Sequence, residues 1–187
     1  FVDARVKKVL EKARSGETVN IVTLGGSITE GGNASPMSAG YAYLFAEAFG
    51  KTYGVNGGEN INFVNAGLSG TPSSLGVMRY DRDVLQTIGQ EPDLVIVEFA
   101  VNDWEEPTGS RAYEALVRTI LEQENDPAVI LLFSVFQSKW NMQDSYIPIG
   151  NHYGLPMVSI KDATTYAYKT KNVNDDNFFA DIYHPTD

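Results

Sequence analysis

Apolar residues along this chain gather into five short runs: Val19–Leu24, Ile61–Ala66, Asp93–Val101, Ala128–Phe136 and Leu155–Ile160. Stretches such as VIVEFAV and VILLFSVF are almost continuously apolar and rich in β-branched residues. Strands covered on both faces have this character, which predicts a parallel sheet enclosed by helices. Between the runs the apolar period lengthens to that of a helix. Val2–Arg14 places Val2, Val6, Val9, Leu10 and Ala13 on one stripe, with Lys and Glu elsewhere. Further helices are expected over Tyr41–Phe49, Ser74–Ile88, Ser110–Glu124 (with Gly109-Ser110 as its start) and Lys161–Lys169. Strands alternating with helices in this way imply right-handed crossovers and a three-layer α/β/α sandwich with a five-stranded parallel sheet.

A length of 187 residues suits one compact domain, and no repeat or low-complexity linker divides it, so a single domain over 1–187 is expected. No apolar run approaches the ~20 residues of a membrane-spanning helix. The formal net charge of −10 repels phosphate backbones and anionic lipids, which argues against nucleic acid as a partner. Neutral substrates are unaffected by that charge. The absence of cysteine removes thiol nucleophiles and thiolate metal sites. Only two histidines, His152 and His184, are available to any mechanism that needs an imidazole.

Ligands of open α/β sheets bind at the carboxyl ends of the strands. The segments just after the first three runs read GGSITEGG, GLSGTPSS and NDWEEP. Gly25 and Gly26 allow a tight turn that lifts the Ser27 hydroxyl to the top of the sheet, where a base can make it a nucleophile. Alone, such a serine is more often a helix cap or a plain loop residue. The same segment fits neither GxGxxG nor GxxxxGK[ST], so a phosphate-cradling loop is disfavoured. Gly67, Gly70 and Asn102 are of the types that supply amide donors to an oxyanion, although each alone is an ordinary loop residue. Asp181, three residues before His184, can accept the Nδ1–H and aim Nε2 at a serine. His152 has no such carboxylate and is expected at the end of a helix before the fifth strand.

The order of these segments resembles that of the SGNH hydrolases, the GDSL-type esterases and lipases. GGSIT is similar to their serine block, with GGS in place of GDS. Ser69-Gly70 resembles the glycine block, Ala100-Val101-Asn102-Asp103 the G-x-N-D block with alanine first, and DIYH the D-x-x-H block. The resemblance runs from Val19 to the C-terminus. It implies a flavodoxin-like fold and a Ser27–His184–Asp181 triad working through an acyl-enzyme. It also implies an oxyanion hole of the Ser27 and Gly70 amides with the Asn102 side chain, and no metal or organic cofactor. Relatives generally continue beyond this histidine into a further helix, so either His184 is held less firmly here or the chain lacks that C-terminal helix.

GTPSSLG-x-x-R followed by DLVIVEFAVND is most similar to the carbohydrate-esterase branch, which implies deacetylation of polysaccharide and a secreted or surface location. Trp104, Trp140, Tyr146, Tyr153 and Tyr183 suit sugar stacking in that setting. Arg79 is a candidate for binding a substrate group, or for stitching its loop to Asp83 four residues on, the favoured reading. A lysophospholipase or thioesterase acting on acyl chains, a silent sugar-binding module and a flavodoxin-like nucleotide binder are the alternatives.

Overall fold

The computed structural model describes residues 3–104, 107–171 and 173–186. Its centre is a parallel five-stranded sheet: β1 (Val19–Gly25), β2 (Ile61–Gly67), β3 (Leu94–Glu98), β4 (Ala128–Phe133) and β5 (Met157–Ser159), ordered β2-β1-β3-β4-β5. The helices are α1 (Ala4–Ser15), α2 (Ser27–Glu30), α3 (Tyr41–Tyr53), α4 (Ser73–Tyr80), α5 (Gln86–Ile88), α6 (Ser110–Leu121), α7 (Gln143–Tyr153), α8 (Ile160–Thr170) and α9 (Asp175–Phe178). A π-helical turn, Asp81–Leu85, joins α4 to α5. Val2, the first residue of the expected amino-terminal stripe, lies outside the described residues.

Alternation along the strands explains the continuous apolar runs. In β1, Val19 and Ile21 pack with Val9, Ala13 and Phe49 of α1 and α3, whereas Val22 and Leu24 pack with Tyr80, Leu116 and Ile149 of the opposite layer. Both faces are therefore dry, and each such aliphatic side chain contributes roughly 1.5–3 kcal/mol.

The structure shortens three of the expected strands. Phe99, Ala100 and Val101 stay buried, but the chain has already turned, with Asn102 and Asp103 amides donating to the Phe99 carbonyl. Ser134 and Val135 likewise are buried beyond the end of β4. Apolarity reports burial, and these buried turns carry the same signal as strand. At β5, the Ser159 hydroxyl caps α8 by accepting from the Asp162 amide at 3.0 Å, so Ile160 is helical instead of extended. The start of α6 is capped by Gly109 backbone at φ 59°, without a side-chain cap.

The strand order reverses between β1 and β3, since the chain leaves β1 for β2 on one side and returns to β3 on the other. Such a switch point opens a crevice at the carboxyl ends. Ser27 follows β1 directly and Asn102 follows β3, so the two flank that crevice.

Candidate active site

The turn carrying Ser27 is governed by close approach. A Cβ on Gly26 would stand 2.2 Å from Asn102 Oδ1, and one on Gly25 would stand 2.1 Å from Thr29 Oγ1. Gly26 has φ −88°, an ordinary value, so its glycine is required by space and not by handedness. The short α2 can thereby sit directly on the strand ends, with the Ser27 amide at its first, unpaired position.

Around Ser27 the hydrogen bonds form a line. His184 Nε2 lies 2.9 Å from Ser27 Oγ, and His184 Nδ1 lies 2.9 Å from Asp181 Oδ2. Asp181 Oδ1 accepts the Tyr183 and His184 backbone amides, each at 2.7 Å, which folds DIYH into a tight turn. Burial pushes the Asp181 carboxyl up, but the bonds from the His184 ring and from both amides outweigh it and hold it at about 2. The turn is tethered further: the Gln137 amide donates to the Ile182 carbonyl, and Phe179 bridges Pro185. Gly32 leaves room for the imidazole, since a Cβ there would stand 3.2 Å from His184 Cδ2.

Asn33 was not legible as part of this group. Its backbone is left-handed at φ 66°, and its Nδ2 donates to Asp181 Oδ2 at 2.5 Å. With Asp181 Oδ2 taken by Asn33 and by the His184 Nδ1–H, that tautomer leaves Nε2 free to accept from Ser27.

Across a cleft of about 400 Å³ stand Gly70 and Asn102, with Trp104, Phe136 and Tyr183 on the same walls. Gly70 has φ +69° and open space beside its Cα, and its N–H has no acceptor among the described residues. Asn102 Oδ1 is buried without a partner against Gly26, while Nδ2 has no protein acceptor among the described residues. Two donors thus remain available to a ligand beside Ser27. Asn102→Ala is expected to lower turnover about 10²–10³-fold with folding intact, checked by ester-hydrolysis kinetics and a melting curve.

Two buried carboxylates support the cleft from below. Asp103, next to Asn102, accepts from the Ser73 amide at 2.7 Å, the Ser73 hydroxyl at 2.6 Å and the Tyr146 hydroxyl, joining the Asn102 turn to α4 and α7. Glu98 is fully buried and accepts from the Thr29 hydroxyl at 3.0 Å, the Ser134 hydroxyl and the Gly26 amide. Burial pushes its carboxyl up, against the lowering effect of those three donors. A carboxylate inside an apolar strand run is the signal that would have marked Glu98, because a buried charge demands partners. Glu98→Gln leaves one oxygen for three donors, so a hydroxyl must turn to accept the new amide or lose its acceptor. A loss of roughly 1–3 kcal/mol is expected, read as a fall in Tm of about 3–9 °C.

Other expected site residues are placed elsewhere. Arg79 is buried, donating to the Gly25 and Ala66 carbonyls at 3.0 and 2.7 Å and to Asp83 at 3.2 Å. It ties the ends of β1 and β2 together, and a substrate contact does not fit that position. Tyr146 is a core residue stacked on Tyr113 at 3.7 Å, and the Tyr153 hydroxyl donates to Glu114. Neither reaches the cleft, which corrects their reading as sugar-facing rings. Trp104, 63% exposed, meets Trp140 edge to face at 6.4 Å, and Trp140 stacks on Phe136. His152 lies in the last turn of α7, where the chain enters β5, so it sits at the opposite end of the sheet from Ser27. Among the described residues, no cluster of three His, Asp or Glu side chains is arranged to hold a metal ion.

Comparison with known proteins finds esterases and acylhydrolases of the same fold. The chain is similar to a two-domain esterase active on acetylated mannans, co-crystallized with mannopentaose, at 36% identity and a TM-score of 0.88, covering 98% of this chain and 48% of that one. It thus spans about half the length of that esterase. It shares its fold with an acetylxylan esterase from Geobacillus stearothermophilus (20% identity, TM-score 0.65, 92% and 89% covered). The same fold is found in a lipase/acylhydrolase from Enterococcus faecalis (21% identity, TM-score 0.68, 90% and 88% covered). A search of curated proteins finds no match. The sequence model of the GDSL-like Lipase/Acylhydrolase family matches residues 23–187, nearly the whole chain. This chain belongs to the GDSL-like lipase/acylhydrolase family.

Proposed function

We propose that this domain is a serine esterase that removes acetyl groups from carbohydrate through a Ser27–His184–Asp181 triad and an acyl-enzyme. The observation that carries the reading is the unbroken line from Ser27 Oγ through His184 to Asp181, opening on a cleft with free amide donors. Ser27 Oγ attacks the ester carbonyl as its proton passes to His184 Nε2. Asp181 holds the ring in the required tautomer and offsets the charge of the imidazolium. The tetrahedral oxyanion is held by the Ser27 and Gly70 amides and by Asn102 Nδ2. As the intermediate collapses and the C–O bond to the sugar breaks, His184 gives the proton to the leaving sugar oxygen, which departs as the alcohol. A water molecule, deprotonated by the same imidazole, then attacks the acyl-serine, and the imidazole passes that proton to Ser27 Oγ as acetate leaves.

Two features support an acetylated sugar as substrate. The cleft walls combine aromatic faces (Trp104, Phe136, Tyr183) with polar donors, which suits the mixed surface of a sugar ring. An apolar cavity of about 290 Å³ lies behind α2 against Tyr41, Leu44, Leu132 and Phe178; neither Ser27 nor His184 lines it, and it shares only Ile28 with the lining of the cleft, which favours a short acyl group on Ser27. Similarity to an esterase active on acetylated mannans supports the same choice. The expected result is acetate release from acetylated mannan or xylan, with p-nitrophenyl acetate preferred to the octanoate. Faster turnover of the octanoate, with no acetate released from either polysaccharide, would contradict the substrate assignment.

A further inference from the structure

The cleft does not end at Tyr183. The rings of Tyr183 and Phe136 meet edge to face at 5.3 Å and form a low divide. On its far side is a second hollow of about 360 Å³, and both rings line both spaces. Gln137, Ser138, Asp175 and Ile182 complete the second hollow. Its geometry is fixed by the same hydrogen bond that tethers the catalytic turn, the Gln137 amide to the Ile182 carbonyl at 3.1 Å. Ile182 and Tyr183 remain more than half exposed.

The polar groups of this hollow are not consumed internally. Among the described residues, the Gln137 side-chain amide and the Ser138 hydroxyl have no protein partner. Asp175 uses Oδ1 toward Lys139 and toward the Tyr168 hydroxyl at 2.7 Å, and its Oδ2 has no partner among the described residues. A planar amide and a carboxylate beside an exposed aromatic face are groups that bind vicinal hydroxyls while the ring covers a C–H face. The Lys139–Asp175 pair leaves no unpaired cation to hold an anionic ligand, and the open, half-polar walls give an alkyl chain little to bury against.

We propose that this hollow is a second sugar subsite, which binds the neutral sugar ring neighbouring the one whose ester is cleaved at Ser27. The domain then acts on oligosaccharides and polymers in preference to acetylated monosaccharides. The proposal rests on the carbohydrate-esterase reading and assigns it a direction, from Ser27 across Tyr183 toward Gln137.

The test compares kcat/KM for an acetylated monosaccharide, an acetylated tetrasaccharide of the same sugar and p-nitrophenyl acetate. Wild type, Gln137→Ala and Ser138→Ala would be measured, with melting curves to confirm folding. Wild type should favour the tetrasaccharide over the monosaccharide by about tenfold or more, through KM. In at least Gln137→Ala, the ratio of tetrasaccharide to p-nitrophenyl acetate activity should fall by about the same factor. A wild-type preference that both folded variants retain would overturn the subsite while leaving the carbohydrate reading intact. The same holds if wild type shows no preference for length. Turnover of p-nitrophenyl acetate with no acetate released from either sugar would overturn the carbohydrate reading, and the subsite with it.

Discussion

Ser27→Ala is expected to lower ester turnover by about 10⁴-fold or more, with an unchanged melting temperature within about a degree. The large effect follows from the role: among the described residues no other hydroxyl bonds His184 Nε2, which lies 2.9 Å from Ser27 Oγ. The small effect on stability follows from position. Ser27 is half-buried at the mouth of the cleft, and α2 is held on the sheet by Gly25, Thr29 and Glu98 without its hydroxyl. Steady-state kinetics on p-nitrophenyl acetate, followed by a thermal melt, check both halves. Loss of the fold in this variant would mean that the hydroxyl is structural.

His184→Ala is expected to cost about as much, and the double variant Ser27→Ala/His184→Ala no more than either alone. Groups that move one proton act as a unit, so their losses do not add. The pH profile carries a related expectation. The ring is oriented only while Asp181 is ionised, so no loss of activity should trace to Asp181 until the pH nears about 2. Asp181 is held there by the His184 ring and two backbone amides. Its depressed value also fixes the sign of its contribution to stability. The contribution is complete above the ordinary carboxylate range and is lost as pH falls toward about 2. Protonation of Asp181 at moderately low pH, read from its carboxyl resonance, would contradict its assignment as the permanently ionised partner.

Much of this architecture was legible because burial on both faces of a parallel sheet leaves a plain mark. The runs at Val19–Leu24 and Asp93–Val101 could hardly be helices of a half-exposed kind. What the pattern could not separate was strand from buried turn. Phe99, Ala100 and Val101 are as dry as β3 itself, yet they belong to the turn that presents Asn102. Ser27, Gly70, Asn102, Asp181 and His184 were legible by their order along the chain, although each is an unremarkable loop residue by itself.

Other parts of the site depend on contacts between distant segments. Asn33 reaches Asp181 across 148 positions, and nothing in the local string GGNAS marks it. Asp103 was visible only as the companion of Asn102, whereas its partners, Ser73 and Tyr146, come from two other helices. The same long-range contact removed Tyr146 from the sugar-facing set, since its hydroxyl is committed to Asp103 beneath the cleft. Arg79 shows the reverse case. Its pairing with Asp83 follows from helical spacing, but its bonds to the carbonyls of Gly25 and Ala66 require the sheet to be built first.

The account turns on one atom, Ser27 Oγ, as the nucleophile. Labelling with a fluorophosphonate, followed by peptide mapping by mass spectrometry, tests it most directly. A single adduct on the peptide carrying Ser27, lost in Ser27→Ala and strongly slowed in His184→Ala, is the predicted result. An active enzyme that stays unlabelled at Ser27, or that carries its adduct on another residue, would contradict the account.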